Sequence, residues 1–476
     1  MLRLFKMHGL SPAGPDARLA TGTLQAAVRE FGIKWFVVLS WNRYGYSVSA
    51  APQNTGPSAT AEPPARGSSR IASLAQAREI APLAGAIGAY GIVTAFLSTT
   101  TSLFLADAVR AAPLLIGLFF AARGAVAIVV SLVAGSMSDR LPDRRRLIVL
   151  AGVTGALGGL AFAVLRNYVA VLVTGAVFFA VGDVSFPQVF AYANEFAQAR
   201  GRAVTAFTSM IRSVFSASWV VGPPVGFYLL AHYGFGPLYL AAGGLSLAIA
   251  VLGRWGLSRI PVPPRPAAPA SSGRGRAGRG LPSLLLTLPW RTWLLLGAVI
   301  GLALVDQMYN IDIALYVTKD LHIGAQLVGW MAGLGAALEI PIMIIVGRYA
   351  DRFGKLRVVL TATVGATVFF CLLPLARSAP PLLALQLLNA AWTAVALSIP
   401  VAMVQQEAPA GAGAASALYS SAFMFAVLLA GAITGVTATA IGFGNVFWVC
   451  AAFSVISGGL LLARAAWTPH ETSTSR

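Results

Sequence analysis

The sequence predicts an all-α polytopic membrane protein, with twelve transmembrane helices in two pseudo-symmetric six-helix bundles. Three observations carry that prediction. Hydrophobic residues make up 57% of the 476 and charged residues only 11%, less than half the charged share of an ordinary soluble domain. That is about 271 apolar residues, enough for about a dozen spans of about 20 residues each. Apolar runs of spanning length recur from Ala81 onward, six before a basic Pro- and Gly-rich stretch and six after it. Landmarks in the first set then return about 212 residues later in the second. A soluble enzyme, a nucleic-acid binder and a disulfide scaffold are all excluded on composition.

In chain order, residues 1–78 read as a disordered N-terminal extension. The stretch Ser47–Arg70 is rich in Pro, Ser, Gly and Thr, and the apolar piece Ile33–Trp41 is too short to span. A start codon placed too far upstream explains this extension more simply than a regulatory tail. The spans are expected at residues 81–106, 113–136, 147–165, 168–191, 203–231 and 237–258, and then at 291–317, 326–348, 357–376, 380–404, 414–440 and 443–464. They define an N-terminal bundle over 79–258 and a C-terminal bundle over 291–464. Between them, the segment 259–290 holds Arg265, Arg274, Arg276 and Arg279 among Pro, Ala, Gly and Ser, and reads as a flexible basic linker. Residues 465–476 form a short tail.

The 34 basic residues outnumber 16 acidic ones, for a net charge of +18. In a membrane chain, the placement of this charge matters more than its sum. Loops after the second, fourth, sixth and eighth spans carry Arg140, Arg144, Arg145 and Arg146, then Arg200 and Arg202, then the linker arginines, then Arg352, Lys355 and Arg357. The opposite side carries only Arg110, Arg166, Lys319 and Arg377. Lys and Arg concentrate on the cytoplasmic side, so both termini and the linker are expected there, in a bacterial cytoplasmic membrane. The Ala/Arg/Gly bias fits a GC-rich bacterial genome. Cys371 and Cys450 sit in apolar runs and match no metal or redox spacing.

Gly135-x-x-x-Asp139-Arg140 returns as Gly347-x-x-x-Asp351-Arg352, and Pro187 returns as Pro400 at nearly the same offset. Glycine allows helices to approach closely, and an aspartate can meet a neighbouring helix N-terminus. With Arg144 and Lys355 the two loops are suited to gating as well as to setting topology. Gly347-Arg-Tyr-Ala-Asp351-Arg352-Phe-Gly354-Lys355 resembles the loop signature of the major facilitator superfamily. The first copy is similar but carries Pro where the second has its later Gly. Further pieces resemble the bacterial sugar efflux transporters of that superfamily: Phe186-Pro187-Gln188, Ser209-Met-Ile-Arg212, Trp219-Val-Val-Gly222-Pro223-Pro224, Met308-Tyr309-Asn-Ile-Asp312 and Leu338-Glu339-Ile-Pro341. The resemblance spans about residues 81–464. It implies the major facilitator fold and proton-linked, alternating-access export of sugars and sugar analogues; the direction rests on this resemblance alone.

Ionisable residues inside apolar spans are expensive and mark pathways. Six occur: Arg123, Asp183, Arg212, Asp306, Asp312 and Glu339. At helical spacing Tyr309, Asp312 and Tyr316 share a face, as do Ser209, Arg212, Ser216 and Trp219. An aromatic face with hydroxyls and a charge suits a sugar, whose C–H face stacks while its hydroxyls seek polar partners. Asp312, Tyr309, Tyr316, Trp219, Arg212 and Gln188 are therefore the expected sugar-binding residues. Glu339 is the expected proton carrier, because Leu338, Ile340 and Pro341 offer it no polar partner, with Asp312, Asp306 and Asp183 as further candidates. Arg123 with Asp183 is open between a helix-locking pair and a transport role. Trp219, Trp330 and Trp392 could each face lipid, and Gly222-Pro223-Pro224 is expected to bend its helix.

The same fold with another cargo, a drug or other small metabolite, is the alternative. An enzyme is not expected: no His/Asp/Glu metal spacing and no Ser/His/Asp grouping is present, so no metal, cofactor or catalytic residue is assigned. No phosphate-cradling Gly loop with Lys occurs, which leaves a proton gradient rather than ATP as energy source. The expected partners are a small sugar, protons and the bilayer, with no nucleic acid and a monomeric chain.

Overall fold

The computed structural model describes residues 66–140, 143–258, 289–407 and 412–466. Within them twelve helices are long and apolar enough to cross a membrane. They are α1 Glu79–Asp107, α2 Pro113–Gly135, α3 Arg145–Val164, α4 Tyr168–Ala199, α5 Ala206–Tyr233, α6 Phe235–Gly256, α7 Trp290–Asp320, α8 Gln326–Phe353, α9 Lys355–Leu375, α10 Ala379–Gln406, α11 Leu418–Ile441 and α12 Phe443–Ala466. The twelve spans match the sequence expectation closely. α4 and α8 run further than expected, because polar residues at their ends are carried on continuing helix. The first helix begins at Arg66, so residues 66–78, expected within the disordered extension, have helical backbone. The run Ile71–Glu79 is dominated by Ala, Leu, Gln, Arg and Glu, all good helix formers. The rest of the expected extension, the linker 259–288 and the tail from residue 467 lie outside the described residues.

Lipid is as apolar as leucine, so close packing through small residues must hold the helices together. α3 meets α6 this way: a Cβ built on Gly159 would lie 2.6 Å from Gly243 Cα, and one on Gly152 2.6 Å from the Ala250 nitrogen. α1 meets α5 at Gly91 and Ser218, and α7 meets α12 at Gly301 and Ser457.

The two bundles touch along two seams. Gly117 of α2 packs on Gly431 and Gly435 of α11, and Gly329 of α8 packs on Pro223 of α5. Gly117 and Gly329 are 212 residues apart, and so are Pro223 and Gly435. The seams are therefore one contact made twice, related by the repeat. Both seams lie toward the ends of the helices that carry the α1–α2 and α7–α8 loops. Those loops share a conformation as well: Arg110 and His322, again 212 apart, both adopt positive φ, 58° and 55°. Lys319 there forms an ion pair with Asp107 across the two bundles, between positions 212 apart. At the opposite end a Cβ built on Gly135 or Gly347 meets nothing within 4 Å.

Candidate functional site

Side chains on α5, α7, α8 and α11, from both bundles, interact electrostatically. Glu339 of α8 senses Asp306 of α7 and Arg212 of α5, and Tyr419 of α11 senses the same two. Asp306 and Glu339 are half-buried, while Arg212 is exposed. The Asp306 Oδ2 accepts hydrogen bonds from Gln307 Nε2 (3.0 Å) and Asn310 Nδ2 (3.4 Å). Asp306 also opens onto a recess between α7, α10 and α11, whose other walls include Leu302, Trp392, Thr393, Ala396 and Tyr419. A carboxylate, a phenol, a hydroxyl and an indole thus border one pocket on an otherwise aliphatic surface.

Asp312 lies elsewhere. It is fully buried in the C-terminal bundle, and neither of its oxygens has a hydrogen-bond partner among the described residues. Its companions on that face are enclosed with it. Tyr309 donates toward Gln386 Oε1 at 3.4 Å and packs edge-on against Phe369. Tyr316 donates to the Pro374 carbonyl at 3.2 Å and packs against Phe447. The face of α7 toward the recess carries Leu302 and Asp306 instead. Helical spacing grouped Tyr309, Asp312 and Tyr316 correctly, but which neighbour a face meets is set by tertiary packing.

In the N-terminal bundle Arg123 of α2 forms an ion pair with Asp183 of α4 at 3.0 Å, and the Tyr90 hydroxyl of α1 donates to the other oxygen of Asp183 at 3.3 Å. Asp183 sits where α4 breaks between Gly182 and Ser185. Pro187 explains the break: it has no N–H for the Asp183 carbonyl, four residues back. The Phe186 N–H takes that carbonyl instead, at 3.2 Å. Tyr90, Phe186 and Phe215 pack together beside the pair. Trp219 is half-buried, its indole nitrogen without a partner among the described residues. Trp330 is 49% exposed, as a lipid-facing residue would be.

Gln188 joins the segment around the α2–α3 loop. Its Oε1 accepts from the Ser138 hydroxyl at 3.1 Å and from Arg144 at 3.4 Å. Arg144 also donates to Ser138 and, at 2.5 Å, to Glu195 of α4. Sequence reading named Arg144 but missed Ser138 and Glu195, since nothing local marks a partner on another helix. In the second copy Lys355 pairs with Asp351 at 3.2 Å, one turn away on the same chain segment, and Asp351 and Arg352 are exposed. The side chains of Asp139 and Arg140 lie outside the described residues. Sequence reading also passed over Thr393, Tyr419 and Asp107. The offset between Asp107 and Lys319 could have flagged that pair.

The chain matches the sequence model of the Major Facilitator Superfamily over residues 83–311 and 295–475. It is similar to Sugar efflux transporter A of Escherichia coli (strain K12), 32% identical over 370 residues that make up 77% of this chain and 91% of that one. Similarity extends to Sugar efflux transporter B of Salmonella typhimurium, 33% identical over 75% of this chain and 88% of the relative. Among solved structures, nucleoside transporter NupG aligns with a TM-score of 0.69 at 16% identity, covering 82% of this chain and 100% of that one. A bacterial homologue of the iron transporter ferroportin in its inward-facing state aligns with a TM-score of 0.61 at 14% identity, covering 82% and 98%. At such identities these two likenesses speak for the fold alone.

Proposed function

Because the chain belongs to the Major Facilitator Superfamily, and within it to the bacterial sugar efflux transporters, we propose that it exports sugars or sugar analogues from the cytoplasm in exchange for protons, by alternating access. The observation that carries the proton half of this reading is the Asp306–Glu339–Arg212 cluster, drawn from both bundles. A carboxylate keeps its charge beside a guanidinium and takes up a proton once that neighbour withdraws into apolar surroundings; Arg itself stays charged throughout. Relative motion of the bundles changes the distance from Arg212 on α5 to Glu339 on α8, and so converts a conformational change into a proton transfer. Glu339 carries the proton and Asp306 faces the sugar. Asp312, enclosed in its own bundle, is left a structural part in this scheme, and Asp183 is held by Arg123.

The arginine-rich loops support a cytoplasmic location for both termini and the linker. The seams and the Asp107–Lys319 pair then close the far side. The gating loops around Gly135 and Gly347 would meet only in the opposite state, when Asp351 exchanges Lys355 for a partner on the other bundle.

Counterflow of labelled lactose, glucose and a thiogalactoside in proteoliposomes tests this function. Glu339→Gln is expected to abolish uphill transport driven by an imposed pH difference while retaining sugar exchange, which needs no net proton movement. Asp306→Asn is expected to weaken both. Uphill transport by Glu339→Gln at the wild-type level would refute the proton assignment.

A further inference from the structure

The charged pair of the N-terminal bundle stands at a broken helix and keeps hydrogen-bonding capacity open. α4 widens to a π-turn over Gly175–Phe179 and stops between Gly182 and Ser185. Pro400 holds the matching place in α10, yet that helix runs unbroken from Ala379 to Glu407. Proline alone therefore does not dictate the break. The Arg123–Asp183 pair at the break is not sealed: the two side chains are 18% and 34% exposed. Charge turned to lipid is expensive, and the packing turns this surface toward the other bundle. Gly117 and Gly124 of α2 both pack on α11, with Arg123 beside them in the chain. The large apolar side chains that α4 exposes, Val169, Val173 and Val177, all precede the break.

The types of group present select the ligand. A guanidinium carries five N–H donors, and Arg123 makes one hydrogen bond among the described residues, from Nη2 to Asp183. Asp183 accepts one bond at each oxygen, from Arg123 and from Tyr90, and each oxygen has a second lone pair. Donors and acceptors thus stand side by side on an edge without net charge. An anion would be drawn by Arg123 and repelled by Asp183, and a cation the reverse. A neutral ligand with adjacent hydroxyls accepts from the guanidinium and donates to the carboxylate. Beside the pair the rings of Tyr90, Phe186 and Phe215 lie with centroids 5.0–6.2 Å apart, and Phe186 and Phe215 are only partly buried. Aromatic surface next to a donor–acceptor edge matches the C–H face and hydroxyl rim of a sugar ring. Phe215 shares a face of α5 with Arg212, which interacts electrostatically with Glu339 of the other bundle. We infer that Arg123, Asp183, Phe186 and Phe215 form the sugar subsite of the N-terminal bundle. Arg123 donates to one ring hydroxyl, Asp183 accepts from its neighbour, and the phenyl rings meet the C–H face.

This inference rests on the sugar reading above, and its test separates the two. Exchange of lactose, glucose and glucose analogues each lacking one hydroxyl is measured in proteoliposomes. The proteins are wild type, Phe215→Leu, and a double variant combining Arg123→Met with Asp183→Leu. The double variant removes both charges together, so neither is left stranded in the bundle. For wild type, loss of a hydroxyl bound to the pair is expected to weaken exchange at least about tenfold, mainly through KM. The double variant is expected to insert and melt as wild type does, to exchange intact glucose at least about tenfold less well, and to show no penalty for that hydroxyl. Phe215→Leu is expected to raise KM for every sugar and keep the pattern of penalties. A pair that only locks α2 to α4 predicts wild-type exchange from a stable double variant. Should the double variant fail to insert, the native pair is probed by protection. Ser216→Cys, next to Phe215, is labelled with N-ethylmaleimide in a background with Cys371 and Cys450 replaced. Saturating lactose or glucose is expected to slow that labelling, and an unchanged rate overturns the subsite. Wild type that exchanges sugars, with the double variant keeping the wild-type rate or pattern, overturns the subsite alone. Wild type that exchanges none of these sugars overturns the sugar reading and the subsite together.

Discussion

Gly117→Ala is a one-carbon test of the seam between α2 and α11. The added Cβ would lie 2.4 Å from both the Gly431 carbonyl oxygen and the Gly435 Cα. Ordinary contact needs about a further 1 Å, and backbone atoms on both helices cannot turn aside as a side chain can. The helices must separate, which costs about 1–3 kcal/mol on the scale of overpacked cores. That cost falls only on the state in which the seam is closed, so the equilibrium moves toward the opposite state by about 5- to 150-fold. Gly329→Ala on the other seam meets the Pro223 oxygen at 2.9 Å and the Phe227 Cβ at 3.0 Å, and a smaller shift in the same direction is expected. The assay uses a cysteine at position 303 in a background with Cys371 and Cys450 replaced. A membrane-impermeant maleimide is applied from the side of the α1–α2 loop in oriented vesicles. Labelling is expected to rise markedly for Gly117→Ala and less for Gly329→Ala. Unchanged labelling in both variants, with normal insertion, would refute the idea that these seams hold that side shut.

Three further outcomes are expected. The Asp107–Lys319 pair is more than a third exposed on both partners, so Lys319→Ala should shift the same labelling equilibrium only slightly, by about 0–1 kcal/mol, with the effect lost in high salt; the charge-swapped double variant should recover it. Asp183→Asn should strip Arg123 of its partner and lower the melting temperature in detergent by the equivalent of about 1–3 kcal/mol, while replacing both by Met and Leu should be nearly neutral; equal damage from single and double variants would contradict this. Arg145 donates to both oxygens of Asp143 at 2.8–3.0 Å, and that hydrogen bonding holds the Asp143 carboxyl below its ordinary range. Its stabilisation is complete above the unfolded value of about 3.9 and fades only as the pH falls through the lowered one, so Asp143→Asn should lower thermal stability equally at pH 5.5 and 7.5, with the difference from wild type shrinking as the pH falls toward the lowered value.

Most of the fold could be read from the sequence, since span length and loop charge answer to the bilayer rather than to distant contacts. The repeat was equally plain, because Gly135/Gly347 and Pro187/Pro400 keep their spacing. The site was only partly legible. Asp306, Glu339 and Arg212 stood out because charge in apolar surroundings is costly wherever the helix turns. Asp312 stood out for the same reason, and its two tyrosines supported it, yet that face turns into its own bundle. Trp392 gave the converse case: a lone tryptophan in an apolar run looks lipid-facing until α9 and α11 are packed around it. Periodicity shows which residues travel together on a helix, and the rotation of that helix is fixed by partners hundreds of residues away.

Asp107 and Lys319 occupy the same position in the two repeats and touch each other. A two-fold axis brings every residue near it against its own counterpart. Two identical copies of the first bundle would set aspartate against aspartate there, and two copies of the second would set lysine against lysine. Attraction at that point exists only between unlike halves. The pair therefore works as a key: bundles expressed as separate chains should each prefer the other to a second copy of themselves, and the fused chain keeps that preference as a correctly matched closure.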